Sequence, residues 1–112
     1  MLVEVFNDNA SIKKNLEAIG ERASSTVVSE YELLKWHDEE MVRGPLSILD
    51  LYQFDGNAPE NAARIFKELR REGRMINELD ILIASIAMSH DELLVTRDKD
   101  FKKINNLKVL VH

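Results

Sequence analysis

The stretch from Asp80 to Asp98, DILIASIAMSHDELLVTRD, constrains the fold more than any other. Residues 78–90 are almost wholly apolar over a helical length, the mark of a helix buried on all sides. Leu93 to Thr96 then reads as a short strand covered on both faces. A helix from Asp80 to His90 travels about 15 Å at 1.5 Å per residue. A strand from Leu93 to Asp98 returns about 16 Å at roughly 3.3 Å per residue. The two lengths nearly cancel, so Asp80 and Asp98 are expected at the same edge of a sheet.

The rest of the chain repeats this alternation. Ser11 to Ile19 has helical spacing and is followed by Gly20; Ser25 to Val28 reads as a strand and Ser29 to His37 as a helix. Leu46 to Phe54 is ambiguous between a helix end and a strand. Pro59 to Glu72 is a clear helix with Gly73 as its stop, and Val109 to Val111 is a short strand. Gly44-Pro45 and residues 55–59 read as turns. Without repeat, linker or low-complexity tract, residues 1–112 are expected to form a single α/β domain with a mostly parallel sheet.

Composition narrows the function. No apolar run approaches the roughly 20 residues of a membrane-spanning helix, and the N-terminus has no signal-peptide pattern. There is no cysteine, so neither a disulfide framework nor a thiolate metal site is expected, consistent with a cytoplasmic protein. A formal net charge of −5 argues against general coating of nucleic acid. It does not argue against an enzyme whose acids gather on a divalent metal.

Glu32, in the first turn of the helix that follows Ser25 to Val28, is expected to join Asp80 and Asp98 at the carboxyl ends of the strands. Open α/β sheets place their ligands there. Like charges at close quarters need a cation or protons between them, and an all-oxygen set suits Mg²⁺ or Mn²⁺, not Zn²⁺. Plainer readings exist for each member. Ser29 and Glu32 fit a capping box, Asp80 suits the positive end of a helix, and Asp98 and Asp100 are ordinary turn residues. Arg64, Lys67, Arg71 and Arg74 recur at i, i+3, i+7 and i+10, either a phosphate-binding stripe or a solvated face shared with Glu60, Glu68 and Glu72. Trp36 reads as core, and His90 as a helix end.

From Ser29 onward the chain resembles a PIN domain, and more narrowly the VapC-type toxins of prokaryotic toxin–antitoxin pairs. The resemblance is carried by Ser29-Glu30-Tyr31-Glu32-Leu33, by Asn77 to Ser85, by Leu94-Val95-Thr96-Arg97-Asp98 with Asp100-Phe101, and by Ile104 to Val109. It implies a three-layer α/β/α fold and a metal-dependent endoribonuclease using one or two Mg²⁺ or Mn²⁺. On that resemblance Glu32, Asp80 and Asp98 are catalytic metal ligands, Asp100 is an auxiliary ligand, and Thr96 orients water or phosphate or is a strand residue with a satisfied hydroxyl. The expected partners are an RNA substrate, a VapB-type antitoxin and a second copy of the chain. Apolar residues around Trp36 and Met41 would serve those protein contacts.

The resemblance breaks at the start. Family members begin with a strand ending in Asp, whereas this chain opens Met1-Leu2-Val3-Glu4-Val5-Phe6. Read this way, the first strand and first acid are missing, and Glu4, Asp8 and Glu21 do not match the position. A start placed further upstream is the expected explanation, with an impaired descendant and a strand supplied by a partner as alternatives. The rival functions are a pseudo-nuclease acting as a binding module and a phosphate-accepting receiver-type domain. The latter lacks a clear strand-end Asp and a later strand-end Lys.

Overall fold

Parallel strands covered on both faces need apolar side chains on alternate sides, and the short runs of this chain supply them. The computed structural model describes residues 1–4 and 23–112. Its five strands are β1 (Leu2–Val3), β2 (Ser24–Thr26), β3 (Asp50–Tyr52), β4 (Leu94–Thr96) and β5 (Val109–Val111). They form one all-parallel sheet in the order β3-β2-β1-β4-β5. The helices among the described residues are α1 (Val27–Trp36), α2 (Glu39–Leu46), α3 (Ala58–Glu72) and α4 (Glu78–Ser89), with a 3₁₀ helix at Lys99–Lys103.

The period of two divides the core. Leu2 and Leu94 join Ala62, Ile65 and Leu69 of α3 and Ile81, Ile83 and Ile86 of α4 in one apolar cluster. Val3 and Leu51 pack instead against a second cluster built from Ala23, Leu33, Val42, Leu46 and Leu49. The result is an α/β domain with a parallel sheet, as the alternation predicts, in the three layers that the family resemblance implies. Phe101 is fully buried in the first cluster and anchors the turn after β4.

The strand expected to be missing from the middle of the sheet is present in the structure. Leu2 and Val3 are the central strand, bonded on both sides: the amides of Leu2 and Glu4 donate to the carbonyls of Leu93 and Val95 at 2.9 and 3.0 Å, and Ser24 N–H donates to Met1 O at 2.8 Å. The first strand is therefore present, and no further strand is needed at that position. Two residues suffice because neighbours on both sides satisfy the backbone. So short a strand leaves almost no periodic signal.

Other boundaries moved for local reasons. β2 ends at Thr26, two residues before the expected strand end, because Thr26 caps α1: its Oγ1 accepts the Ser29 amide at 3.0 Å. The cap is thus Thr26, not Ser29, and the Ser29–Glu32 capping box does not form. Gly44-Pro45 is not a turn but lies within the last turn of α2, where proline removes one i→i−4 bond just before the helix ends at Leu46. The ambiguous stretch resolves into that helix end and β3. Trp36 is not core but 75% exposed. The helix expected at 11–19 lies outside the described residues.

The cap yields a direct test. Thr26→Ala is expected to lower stability by about 1–2 kcal/mol, read as a reduced urea midpoint, whereas removing only the Ser29 hydroxyl leaves the capping bond intact. Equal losses for Thr26→Ala and Ser29→Ala would contradict the cap assignment.

Candidate functional site

The register of the sheet assembles the acids. Leu2 pairs with Leu94 and Val3 with Val95, so the next residues along, Glu4 and Thr96, come side by side. Glu4 shares the face of Leu2, two residues earlier, and Asp98 that of Leu94, four residues earlier. That face is covered by α4, whose first turn carries Asp80. Sequence reasoning missed Glu4 because it sought an aspartate. The available signal was an acid immediately after an apolar pair able to match Leu94-Val95.

Thr96 ties two of these groups together. It is fully buried; its hydroxyl donates to Glu4 Oε2 and accepts the Asp98 amide at 3.0 Å. Asp98 Oδ1 accepts the Asp100 amide at 2.9 Å, capping the 3₁₀ helix. The Thr96 hydroxyl is thus engaged within the protein, as in the plainer reading of that residue. Asp98 does have the local turn role expected of it, through Oδ1.

The electrostatics record the crowding. Burial pushes the Glu4 carboxyl up to about 7 against the opposing bond from Thr96, and the charges of Asp80, Asp98 and Glu32 add to the rise. Burial also pushes Asp80 up to about 6, with Asp98, Glu32 and Asp100 contributing. Among the described residues no basic side chain forms an ion pair with Glu4, Glu32, Asp80 or Asp98. Four mutually repelling carboxylates offer the oxygen donors that hard dications prefer. Their spacing is open, however: among the described residues no three acidic or histidine side chains converge tightly enough to hold a metal ion as they stand.

The remaining candidates divide. Glu32 lies in the second turn of α1, not the first, because the helix starts at Val27. Asp100 sits at the edge of the group and pairs with Lys103 at 3.1 Å. Arg64, Lys67 and Arg71 are exposed on α3. Arg74 lies beyond the left-handed Gly73 that ends α3, within 3.7 Å of Glu72. His90 is the C-cap of α4 and stacks on Tyr52, with ring centroids 3.8 Å apart.

A central parallel sheet with acids at its strand ends defines an α/β domain with an acidic candidate site. The chain belongs to the PIN-domain family, whose model matches residues 2–107 and so includes β1. Membership in this family implies a nuclease. The fold is similar to a chain in the DNA-bound VapBC of Salmonella typhimurium, with a TM-score of 0.82 and 22% identity over 94% of this chain and 86% of that one. It is similar to VapBC-1 of nontypeable Haemophilus influenzae at 0.78 and 21%, covering 99% and 96%. VapBC2 of Rickettsia felis, bound to a promoter DNA fragment, gives 0.77 and 24%, covering 100% and 99%. Among curated proteins none matches the sequence.

The raised carboxyls make stability pH-dependent. Glu4 and Asp80 ordinarily titrate near 4.5 and 3.8; in the fold both bind protons more tightly than in the unfolded chain. Their contribution is therefore fully present below those ordinary values and is lost as pH rises through about 6 to 7. Without divalent cations, the urea midpoint is expected to fall between pH 5 and pH 8, and Glu4→Gln to remove on the order of 2 kcal/mol of that fall. Superimposable pH profiles for the two proteins would show that Glu4 is not crowded.

Proposed function

We propose that this protein is a divalent-metal-dependent endoribonuclease, the toxin of a toxin–antitoxin pair. The observation that carries the reading is the placement of Glu4 at the end of the central strand, facing Asp80 and beside Asp98. A glutamate takes the place where the family resemblance leads one to expect an aspartate. Glu4, Glu32, Asp80 and Asp98 would hold Mg²⁺ or Mn²⁺, with Asp100 at the margin. When bound, the cation supplies positive charge against the phosphate and the charge that develops on it during in-line displacement.

The chain's own groups do the rest. Thr96 holds the Glu4 carboxylate and the Asp98 backbone in fixed relation, so two ligands keep their spacing without a metal. The buried floor formed by Leu2, Leu94 and Ile81 excludes water beneath the carboxylates and strengthens their charge interactions. The net reaction is hydrolysis of an RNA phosphodiester, with water as nucleophile and a 3′-oxygen as leaving group.

The partner reading rests on a surface. Tyr31 and Trp36 of α1, Met41 of α2 and nearby Ile48 are all more than half exposed, and Lys35 lies 5.4 Å from the centroids of both the Tyr31 and Trp36 rings. Exposed apolar side chains of this kind suit contact with a VapB-type antitoxin segment, in keeping with neighbours that are VapBC complexes. We also assign a homodimer and a cytoplasmic location to this reading. No helix among the described residues is long and apolar enough to cross a membrane.

The open spacing of the acids favours one second reading, a pseudo-nuclease that keeps the fold as a binding module. Cleavage of a labelled single-stranded RNA with Mn²⁺ or Mg²⁺, compared with a chelator, separates the two. The nuclease reading expects metal-dependent cleavage that falls at least about a hundredfold in both Asp80→Asn and Glu4→Gln, the scale of losing one charge-stabilising group. Cleavage unaffected by Glu4→Gln would remove Glu4 from the site. No cleavage by a folded wild-type chain would favour the binding module.

A further inference from the structure

The outer face of α3 carries an excess of positive charge that nothing in the acidic site explains. On a helix of 3.6 residues per turn, Arg64, Lys67, Arg70 and Arg71 fall on one side with Glu60 among them and Glu68 at the border, while Ile65 and Leu69 point the opposite way into the core. All four cations are exposed. Among the described residues none of the four forms an ion pair. The chain as a whole carries a formal net charge of −5. By contrast Arg43 bridges α1 and α2, meeting Glu30 at 2.6 Å and Glu39 at 3.5 Å, and Lys108 meets Asp91 at 2.8 Å.

The structure also alters the membership of the stripe. Arg74 leaves it, because Gly73 turns the chain and Glu72 lies close to its guanidinium. Arg70 joins it. What remains is a continuous patch rising along the last three turns of α3.

Its direction is fixed by the packing of α3 on α4. Asn61, in the first turn of α3, donates to Ser89 Oγ at the end of α4 at 3.2 Å. Lys67, further along α3, shares a groove with Glu78 at the start of α4. The two helices are therefore antiparallel, and the last turn of α3, with Arg70 and Arg71, comes level with the first turn of α4. That turn carries Asp80. The positive face climbs toward the edge of the sheet where the carboxylates gather.

We infer that the exposed face of α3, Arg64, Lys67, Arg70 and Arg71, is the track that carries the phosphate backbone of single-stranded RNA up to the carboxylate site. The inference rests on the nuclease reading for its substrate, but the track itself is a binding surface. Repulsion from the acids would otherwise keep a polyanion away. A row of exposed, unpaired cations beside them supplies the local attraction and releases counterions when RNA binds. Guanidinium groups in three of the four positions suit phosphate oxygens, which they can bind in a bidentate manner.

The test is binding without cleavage. Fluorescence anisotropy of a labelled oligouridylate, measured with chelator over a range of salt, reads the affinity and its salt slope. Lys67→Glu with Arg71→Glu is expected to weaken binding at least about tenfold and to reduce the slope by roughly 0.7 for each phosphate no longer neutralised. Asp80→Asn should bind at least as well as wild type, and circular dichroism melts confirm that each variant folds. Unchanged affinity in the double reversal, or an equal loss on reversing the distant Lys108, would overturn the track. So would unchanged RNA affinity accompanied by loss of binding to polyglutamate, which would reassign the face to an acidic polypeptide. Cleavage with unaltered binding would refute the track alone, whereas track-dependent binding without any cleavage would refute only the nuclease reading.

Discussion

Everything in the site depends on the pairing of β1 between β2 and β4. Two residues, Leu2 and Val3, hold the centre of the sheet, where the backbone from Met1 to Glu4 bonds to Leu93 and Val95 on one side and Ser24 on the other. Their register sets which side chains meet at the strand ends. A slip of one residue would turn Glu4 to the opposite face, away from α4 and Asp80. The burial of Leu2, which is fully enclosed, resists that slip because it would exchange places with Val3 and present Glu4 to the second apolar cluster.

The same arrangement carries an energetic cost. Packing Glu4 and Asp80 against an apolar floor holds both carboxyls well above their ordinary range. Natural sheets have many ways to end a strand without buried acids. A fold that retains several of them at one edge keeps a local instability that a cation would relieve, the kind of perturbation that marks functional sites. Thr96 reconciles the crowding locally by donating to one acid and accepting from the backbone of another.

Charge is distributed by element, not by average. The acids of the candidate site occupy the strand ends, the first turn of α4 and, through Glu32, α1. Four exposed cations without an ion pair among the described residues occupy the solvent face of α3, and the exposed Tyr31 and Trp36 lie on α1. A formal charge of −5 describes none of these surfaces. Acidic, basic and apolar side chains therefore gather on different parts of one small domain.

The sequence by itself determined the layers, the long helices and the meeting of Asp80 with Asp98. Apolar period and element length are local properties, and the return distance of a helix and strand follows from their fixed rise. It also carried the family resemblance through Glu32, Asp80 and Asp98. It did not disclose β1, since two residues have no measurable period, nor Glu4, which is identified by its neighbours and not by its type. The cap at Thr26, the helical setting of Pro45, the exposure of Trp36 and the exchange of Arg74 for Arg70 were likewise decided only in three dimensions. Each depends on which backbone groups and side chains another segment covers, and that information is held between distant parts of the chain.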